Sequence, residues 1–151
     1  MITEKDKIIK YKFWKWGYKL PVIVSYFSML IFFIIAEMIV LTNIMQPLFK
    51  KHIGYLMKED TNFSIAAIFY FVYVAGVFWF ATRAGIKSES YFVAIFSGAF
   101  LGLLAFGTYE ITNFVILKDW KIELVIIDTL WGIVITGSMA YVGYKVYNLF
   151  S

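Results

Sequence analysis

The sequence predicts an all-α integral membrane protein, a bundle of four transmembrane helices with short loops and both termini in the cytoplasm. Three observations predict this fold class. Of the 151 residues, 62% are hydrophobic. Only 16% are charged, whereas soluble domains average about 25%. The apolar residues also fall into four runs, each long enough to cross a bilayer, which takes about 20 helical residues.

The first 20 residues form a basic, aromatic segment that we expect to lie at the membrane interface. Six lysines occur in the first 19 residues, and aromatic rings alternate with them between Tyr11 and Tyr18. Such rings lie at the level of the lipid headgroups, while the lysine ammonium groups reach anionic lipid. A lysine run can also bind nucleic acid. Beside a long apolar run it is interpreted as a signal for the cytoplasmic side, so no nucleic-acid partner is expected.

Residues 21–148 are predicted to be the transmembrane domain. Pro21 suits the first turn of a helix, where its missing N–H is no loss. Pro47 is expected to end the first helix, because proline cannot continue one. The four spans are expected at about 22–45, 62–82, 91–117 and 122–147, each a predominantly apolar run of spanning length.

Polar residues separate these runs. Residues 46–62 are expected to form a polar connection with room for a short surface helix, and Thr61 or Asn62 could cap the second helix. Arg83, Lys87 and Glu89 mark a short loop before the third span. A tight turn at residues 118–121 precedes the fourth span, and its Trp120 is assigned to the membrane interface.

Small residues recur at four-residue spacing on the last two helices. Gly98 and Gly102 lie on the third span, and Gly132, Thr136 and Ala140 lie on the fourth. This spacing lets a neighbouring helix approach closely. For the two glycines, simple backbone tolerance explains the pattern equally well.

The distribution of basic residues predicts the orientation. Four spans place both termini on one side, and that side would carry nine lysines and arginines against five on the other. The cytoplasmic side of a membrane protein carries the excess of basic residues. Both termini are therefore predicted to be cytoplasmic, in a multi-pass protein of the cell membrane.

Three carboxylates interrupt the apolar runs at one level of the bilayer. At a rise of about 1.5 Å per residue, Glu37 lies roughly 22 Å and Glu110 roughly 28 Å from the inner face, and Asp128 roughly 9 Å from the outer face. An ionised carboxylate inside hydrocarbon costs about 3 kcal/mol or more. These acids therefore need water, hydrogen bonds, shared protons or a cation. The sequence predicts one polar pocket near the outer surface. Its candidate lining is Glu37, Tyr70, Tyr73, Tyr109, Glu110, Asn113, Asp128 and Trp131.

The residue inventory excludes several kinds of site. With no cysteine, the chain has no disulfide, thiolate metal site or cysteine nucleophile of its own. His52 is the only histidine, so zinc sites with two histidines from one chain are excluded. No metal and no cofactor are expected, and His52 is interpreted as a solvated loop residue.

Several blocks of the sequence resemble one family of membrane proteins. They are Phe69-Tyr70-x-x-Tyr73-x-x-Gly76, residues 107–113 (Gly-Thr-Tyr-Glu-Ile-Thr-Asn) and Asp128-x-x-Trp131-Gly132. The chain is similar over residues 22–145 to domain-of-unknown-function family 2177. The resemblance implies a small multi-pass membrane protein and no established activity. The family usually has aspartate where this chain has Glu37 and Glu110, and often tryptophan in place of Val40.

Three functions fit these observations. The first is a protein that binds or transports a small molecule or ion with proton coupling, and a four-helix transporter would need a homodimer. The second is a membrane-embedded enzyme in which a Glu–Asp pair acts as general acid and base on a lipid or other apolar substrate. The third is an accessory subunit whose small-residue stripes bind a larger membrane partner. The bilayer is the expected environment in all three.

Overall fold

A computed structural model describes residues 19–58 and 63–151, and the regular elements within these ranges are all helical. The predicted interfacial segment lies outside the described residues apart from Lys19 and Leu20, and so do the capping candidates Thr61 and Asn62. The α-helices are α1 (Lys19–Val40), α2 (Gln46–Ile53), α3 (Phe63–Val77), α4 (Arg83–Lys87), α5 (Tyr91–Ile116) and α6 (Ile122–Phe150).

The first helix continues past Pro47, where the sequence predicted its end. A π-helical turn, Leu41–Met45, joins α1 to α2, and a 3₁₀ turn, Gly54–Leu56, follows α2. Pro47 occupies the first turn of α2, where a missing N–H is tolerated. Thr42 Oγ1 donates to Met38 O and Asn43 Nδ2 donates to Ile39 O, each at 2.7 Å. These bonds give side-chain donors to two carbonyls in the last turn of α1, directly before the π-helical turn.

The second span also extends beyond its predicted end. A π turn, Phe78–Thr82, joins α3 to α4, so Arg83 and Lys87 are helical. The Arg83 guanidinium lies 3.7 Å from the centre of the Trp79 ring, which accommodates the charge along the helix surface. The helix ends where Ser90 N–H donates to Gly85 O and Glu89 N–H to Ile86 O. Glu89 adopts a φ of 52°, the left-handed conformation that terminates many helices.

Helices α5 and α6 form the closest pair in the bundle, and the small-residue stripes lie between them. A Cβ atom on Gly98 would overlap Thr136 and Ala140, and one on Gly102 would overlap the backbone of Gly132. Close approach of the two backbones therefore requires these two glycines. The remaining core lies where α1 and the second span pack on α6, and includes Met29, Phe33, Val74, Ile135 and Met139.

Helix α2 covers the end of the bundle at the α5–α6 turn. Ile53 packs with Trp120 and Leu124 in a small apolar cluster. Beside it, His52 Nε2 lies 3.1 Å from Glu123 Oε2, so His52 is partnered rather than simply solvated as the sequence suggested.

Four helical segments of the described chain are long and apolar enough to cross a membrane: Lys19–Leu56, Ser64–Lys87, Tyr91–Ile116 and Ile122–Phe150. They confirm the predicted all-α, four-span architecture. Which side of the membrane holds the termini stays a prediction.

Candidate functional site

The three intramembrane carboxylates come from three helices and lie close together. Glu37 belongs to α1, Glu110 to α5 and Asp128 to α6. Asp128 lies between the other two, near enough to feel the charge of both. The helical rise predicted a similar depth in the membrane for each acid. In the structure, α1 and α5 both pack on α6, which brings the three acidic side chains together.

Two tryptophans each hold one of these carboxylates. Trp131 Nε1 donates to Glu37 Oε2 at 2.9 Å. Trp120 Nε1 donates to Glu110 Oε2 at 2.7 Å. An indole N–H donates without adding charge, so each bond orients a carboxylate but leaves its negative charge uncompensated.

Glu110 is completely buried. Its Oε1 atom has no donor among the described residues, but the Asp128 carboxyl lies within hydrogen-bonding reach of the Glu110 side chain. Two ionised carboxylates cannot donate to each other. A proton held between Glu110 and Asp128 would let one carboxyl donate to the other, and so satisfy both.

Three tyrosines lie near the acids. Tyr70 lies near Glu37 and Asp128, and its ring packs edge-on against Phe33. Tyr73 shares a 2.7 Å hydrogen bond with Thr136 Oγ1, which fixes its hydroxyl on α6. Tyr109, near Glu110 and Asp128, packs edge-on against Trp120.

An open cavity of about 630 Å³ lies between these groups. Its lining includes two acidic side chains and three tyrosines, and no lysine or arginine of the described residues lines it. The lining residues are Phe33, Glu37, Ala66, Phe69, Tyr70, Tyr73, Ala105, Phe106, Tyr109 and Asp128. The cavity can therefore receive a molecule that brings positive charge or hydrogen-bond donors to carboxylates.

Five of the eight predicted site residues line this cavity, namely Glu37, Tyr70, Tyr73, Tyr109 and Asp128. The other three lie behind it. Glu110 is buried beyond Asp128, and Trp131 supports Glu37. Asn113 lies one turn beyond Tyr109, and its side-chain amide is within hydrogen-bonding reach of the Tyr109 hydroxyl.

The sequence reasoning missed Trp120 and the aromatic walls Phe33, Phe69 and Phe106. Trp120 was assigned to the membrane interface, but it is 6% exposed and bound to Glu110. The sequence did contain a clue. Trp120, whose indole N–H can donate a hydrogen bond, lies in the turn that follows the helix carrying Glu110, an acid with no predicted basic partner. Phe69 belongs to one block that resembles the family and Phe106 directly precedes another, whereas nothing in the sequence marks Phe33.

Among residues 19–58 and 63–151, no three His, Cys, Asp or Glu side chains are placed to hold a metal ion together. The three acids are linked through neighbours and hydrogen bonds and do not form one ligand shell.

A comparison with protein families matches residues 22–145 to the family described as "Predicted membrane protein (DUF2177)". The chain belongs to the DUF2177 family. The match covers every residue of the candidate site, and it agrees with the four apolar helices of the DUF2177 protein. It establishes a membrane protein and leaves the activity open. No curated protein and no solved structure matches the chain.

Proposed function

We propose that the DUF2177 protein binds a small molecule with positive charge or hydrogen-bond donors in the cavity, and that the acids exchange protons as the molecule binds. The observation that carries this proposal is a cavity lined by Glu37, Asp128 and three tyrosines, with no lysine or arginine of the described chain in its walls. Uncompensated carboxylates inside a membrane are costly, and proteins retain them where they bind or move ions and protons.

The alternative explanation is purely structural, with the acids serving as hydrogen-bonding links between helices. Such links contribute only about 0.6 kcal/mol on average. The two tryptophan N–H groups already hold Glu37 and Glu110, yet Asp128 adds a further carboxyl beside both. A ligand that approaches Asp128 from the cavity would meet a carboxyl that no lysine or arginine in the cavity lining neutralises.

The test compares three purified proteins. Small molecules and lipids extracted from wild type, Asp128→Asn and Glu123→Gln are identified by mass spectrometry. Glu123 is the matched control, because its carboxylate is exposed and pairs with His52 outside the cavity. We expect a species that is present with wild type and Glu123→Gln and at least about tenfold depleted in Asp128→Asn, since a charged hydrogen bond contributes about 1.5–3 kcal/mol. Identical extracts from three proteins of equal thermal stability would contradict the proposal.

For localisation and topology, we propose that the protein lies in the cell membrane with both termini in the cytoplasm. The support is the excess of lysine and arginine on the side that holds the termini.

A further inference from the structure

A second, apolar groove continues from the acidic cavity along the outside of the bundle. It has a volume of about 590 Å³ and shares Phe69, Tyr73 and Ala105 with the cavity. Its other lining residues come from the second span and from α5: Val72, Gly76, Val77, Phe80, Leu101, Leu104 and Thr108. The acidic cavity and the apolar groove therefore lie side by side, with Phe69, Tyr73 and Ala105 lining both.

The groove exists because the second span and α5 diverge. The second span packs on α5 mainly through the π turn Phe78–Thr82 and α4, at the end away from the acids. Towards the acids, Gly76 and Ala105 present little side chain, and a Cβ added at Gly76 would meet nothing within 4 Å. The separation leaves a channel between two helices whose backbones pack closely at one end and whose side chains Tyr73 and Phe106 meet near the acids.

The groove is open on the lateral surface of the bundle. Val72 is 64% exposed, Phe80 65% and Leu104 48%. On helices that span a membrane, such a face meets lipid hydrocarbon, so a hydrocarbon chain can enter the groove without crossing water. The acidic end, by contrast, offers carboxylates with no basic partner in the described chain.

We propose that the ligand is a single-chain amphiphile with a cationic amine head, its head against Asp128 and Glu37 and its hydrocarbon tail in the groove. This inference rests on the proposed function and adds the chemical class of the ligand. Charge complementarity selects the head, since an ammonium group supplies the positive charge that the carboxylates lack. An anionic head would face like charges and is excluded. One groove, bounded by two helices, fits one tail.

The experiment uses two photoreactive amines with the full-length protein in phosphatidylcholine nanodiscs. The long probe is a dodecylamine with a diazirine near the end of its tail. The short probe is a water-soluble amine with the diazirine close to the head. Cross-linked residues are mapped by mass spectrometry. We expect the long probe to label groove residues such as Val72 and Leu104, and the short probe to label cavity residues.

Variants test each end of the site separately. Asp128→Asn should lower labelling by both probes at least about tenfold, since the charged contact is lost. Should Asp128→Asn fail to fold, Tyr70→Phe tests the same end of the site by removing a polar group near both acids. Leu104→Trp should block the long probe and leave the short one unaffected. Leu103→Trp is the matched control, because Leu103 is the adjacent residue, is 40% exposed and does not line the groove.

The outcomes separate the two proposals. Labelling by the short probe that depends on Asp128, together with long-probe labels spread over all lipid-facing sides, would overturn the amphiphile and keep the proposed function. If Asp128→Asn left labelling by both probes unchanged, the amphiphile and the proposed function would both be overturned. Cross-links that join two copies of the chain through the groove would show that a second copy fills it, and would also overturn the amphiphile. An anionic probe, dodecyl sulfate with the same diazirine, should leave the groove unlabelled, and strong labelling by it would contradict the cationic head.

Discussion

At the scale of single residues, the site depends on two indole–carboxylate hydrogen bonds. Trp120 and Trp131 orient Glu110 and Glu37, and Asp128 lies between these two acids. Both tryptophans use a neutral donor, so neither bond compensates the negative charge of its carboxylate, and of these two acids Glu37 lines the cavity. The same bonds prevent Glu110, which is wholly buried, from losing all its hydrogen-bond partners on leaving water.

Replacing Trp120 with phenylalanine should lower the free energy of unfolding by about 1–3 kcal/mol, because Glu110 Oε2 then loses its donor while remaining buried. Unfolding by detergent titration, followed by circular dichroism, measures the change. The control is a double-mutant cycle with Glu110→Leu, which removes the acceptor. In that background Trp120→Phe should cost about 1–2 kcal/mol less. Effects that simply add would mean that the hydrogen bond contributes nothing.

Residue positions along a helix can be predicted better than side-chain partners. The helical rise alone placed Glu37, Glu110 and Asp128 at similar depths, and in the structure they are neighbours. The partner of Glu110 was not predictable in this way. Trp120 lies in a turn, where no periodicity fixes the direction of a side chain, and its inward position depends on contacts with Phe49 and Tyr109.

At the scale of elements, the hydrophobic runs predicted the four spans but did not predict where the helices end. Pro47 was expected to end the first helix and Arg83 to begin a polar loop, but the chain is helical through both. In each case a π turn precedes the residue, at Leu41–Met45 and Phe78–Thr82. Such turns leave no compositional mark, so the sequence could not reveal them. The second π turn matters for the site, since it lies where the second span meets α5 and beyond it the groove opens.

Gly102 lies at the contact between α5 and α6, whereas Gly76 lies on α3 with open space beside it, so substitutions at the two glycines should act in opposite directions. Gly102→Ala should lower the free energy of unfolding by about 1–3 kcal/mol, because the added methyl group overlaps the Gly132 backbone. Gly76→Ala should instead raise it by about 0.5–1 kcal/mol, since alanine favours the helix and nothing lies within 4 Å of the new Cβ. Unfolding of both variants by detergent titration provides the comparison. Equal and small effects of the two substitutions would contradict the close packing of α5 on α6.

At the scale of the whole molecule, the bundle is asymmetric along its length. One end is closed, with α2 packed over the α5–α6 turn and Tyr55 donating to Asp119 across it. The acids lie just below that end, and the opposite end holds the contact between the second span and α5. The side of the membrane that the acids face therefore follows from the orientation of the termini.

The absence of native cysteine makes that orientation measurable, because every introduced thiol is the only one in the chain. Four exposed positions serve as reporters, two at each end of the bundle: Lys58 and Lys118 at one end, Ser88 and Ser151 at the other. The excess of basic residues predicts that Ser88 and Ser151 face the cytoplasm. In intact cells a membrane-impermeant maleimide should label Lys58→Cys and Lys118→Cys. It should label Ser88→Cys and Ser151→Cys only after the membrane is permeabilised. The reverse pattern would place the acidic cavity near the cytoplasmic face, and labelling of all four from one side would contradict the four spans.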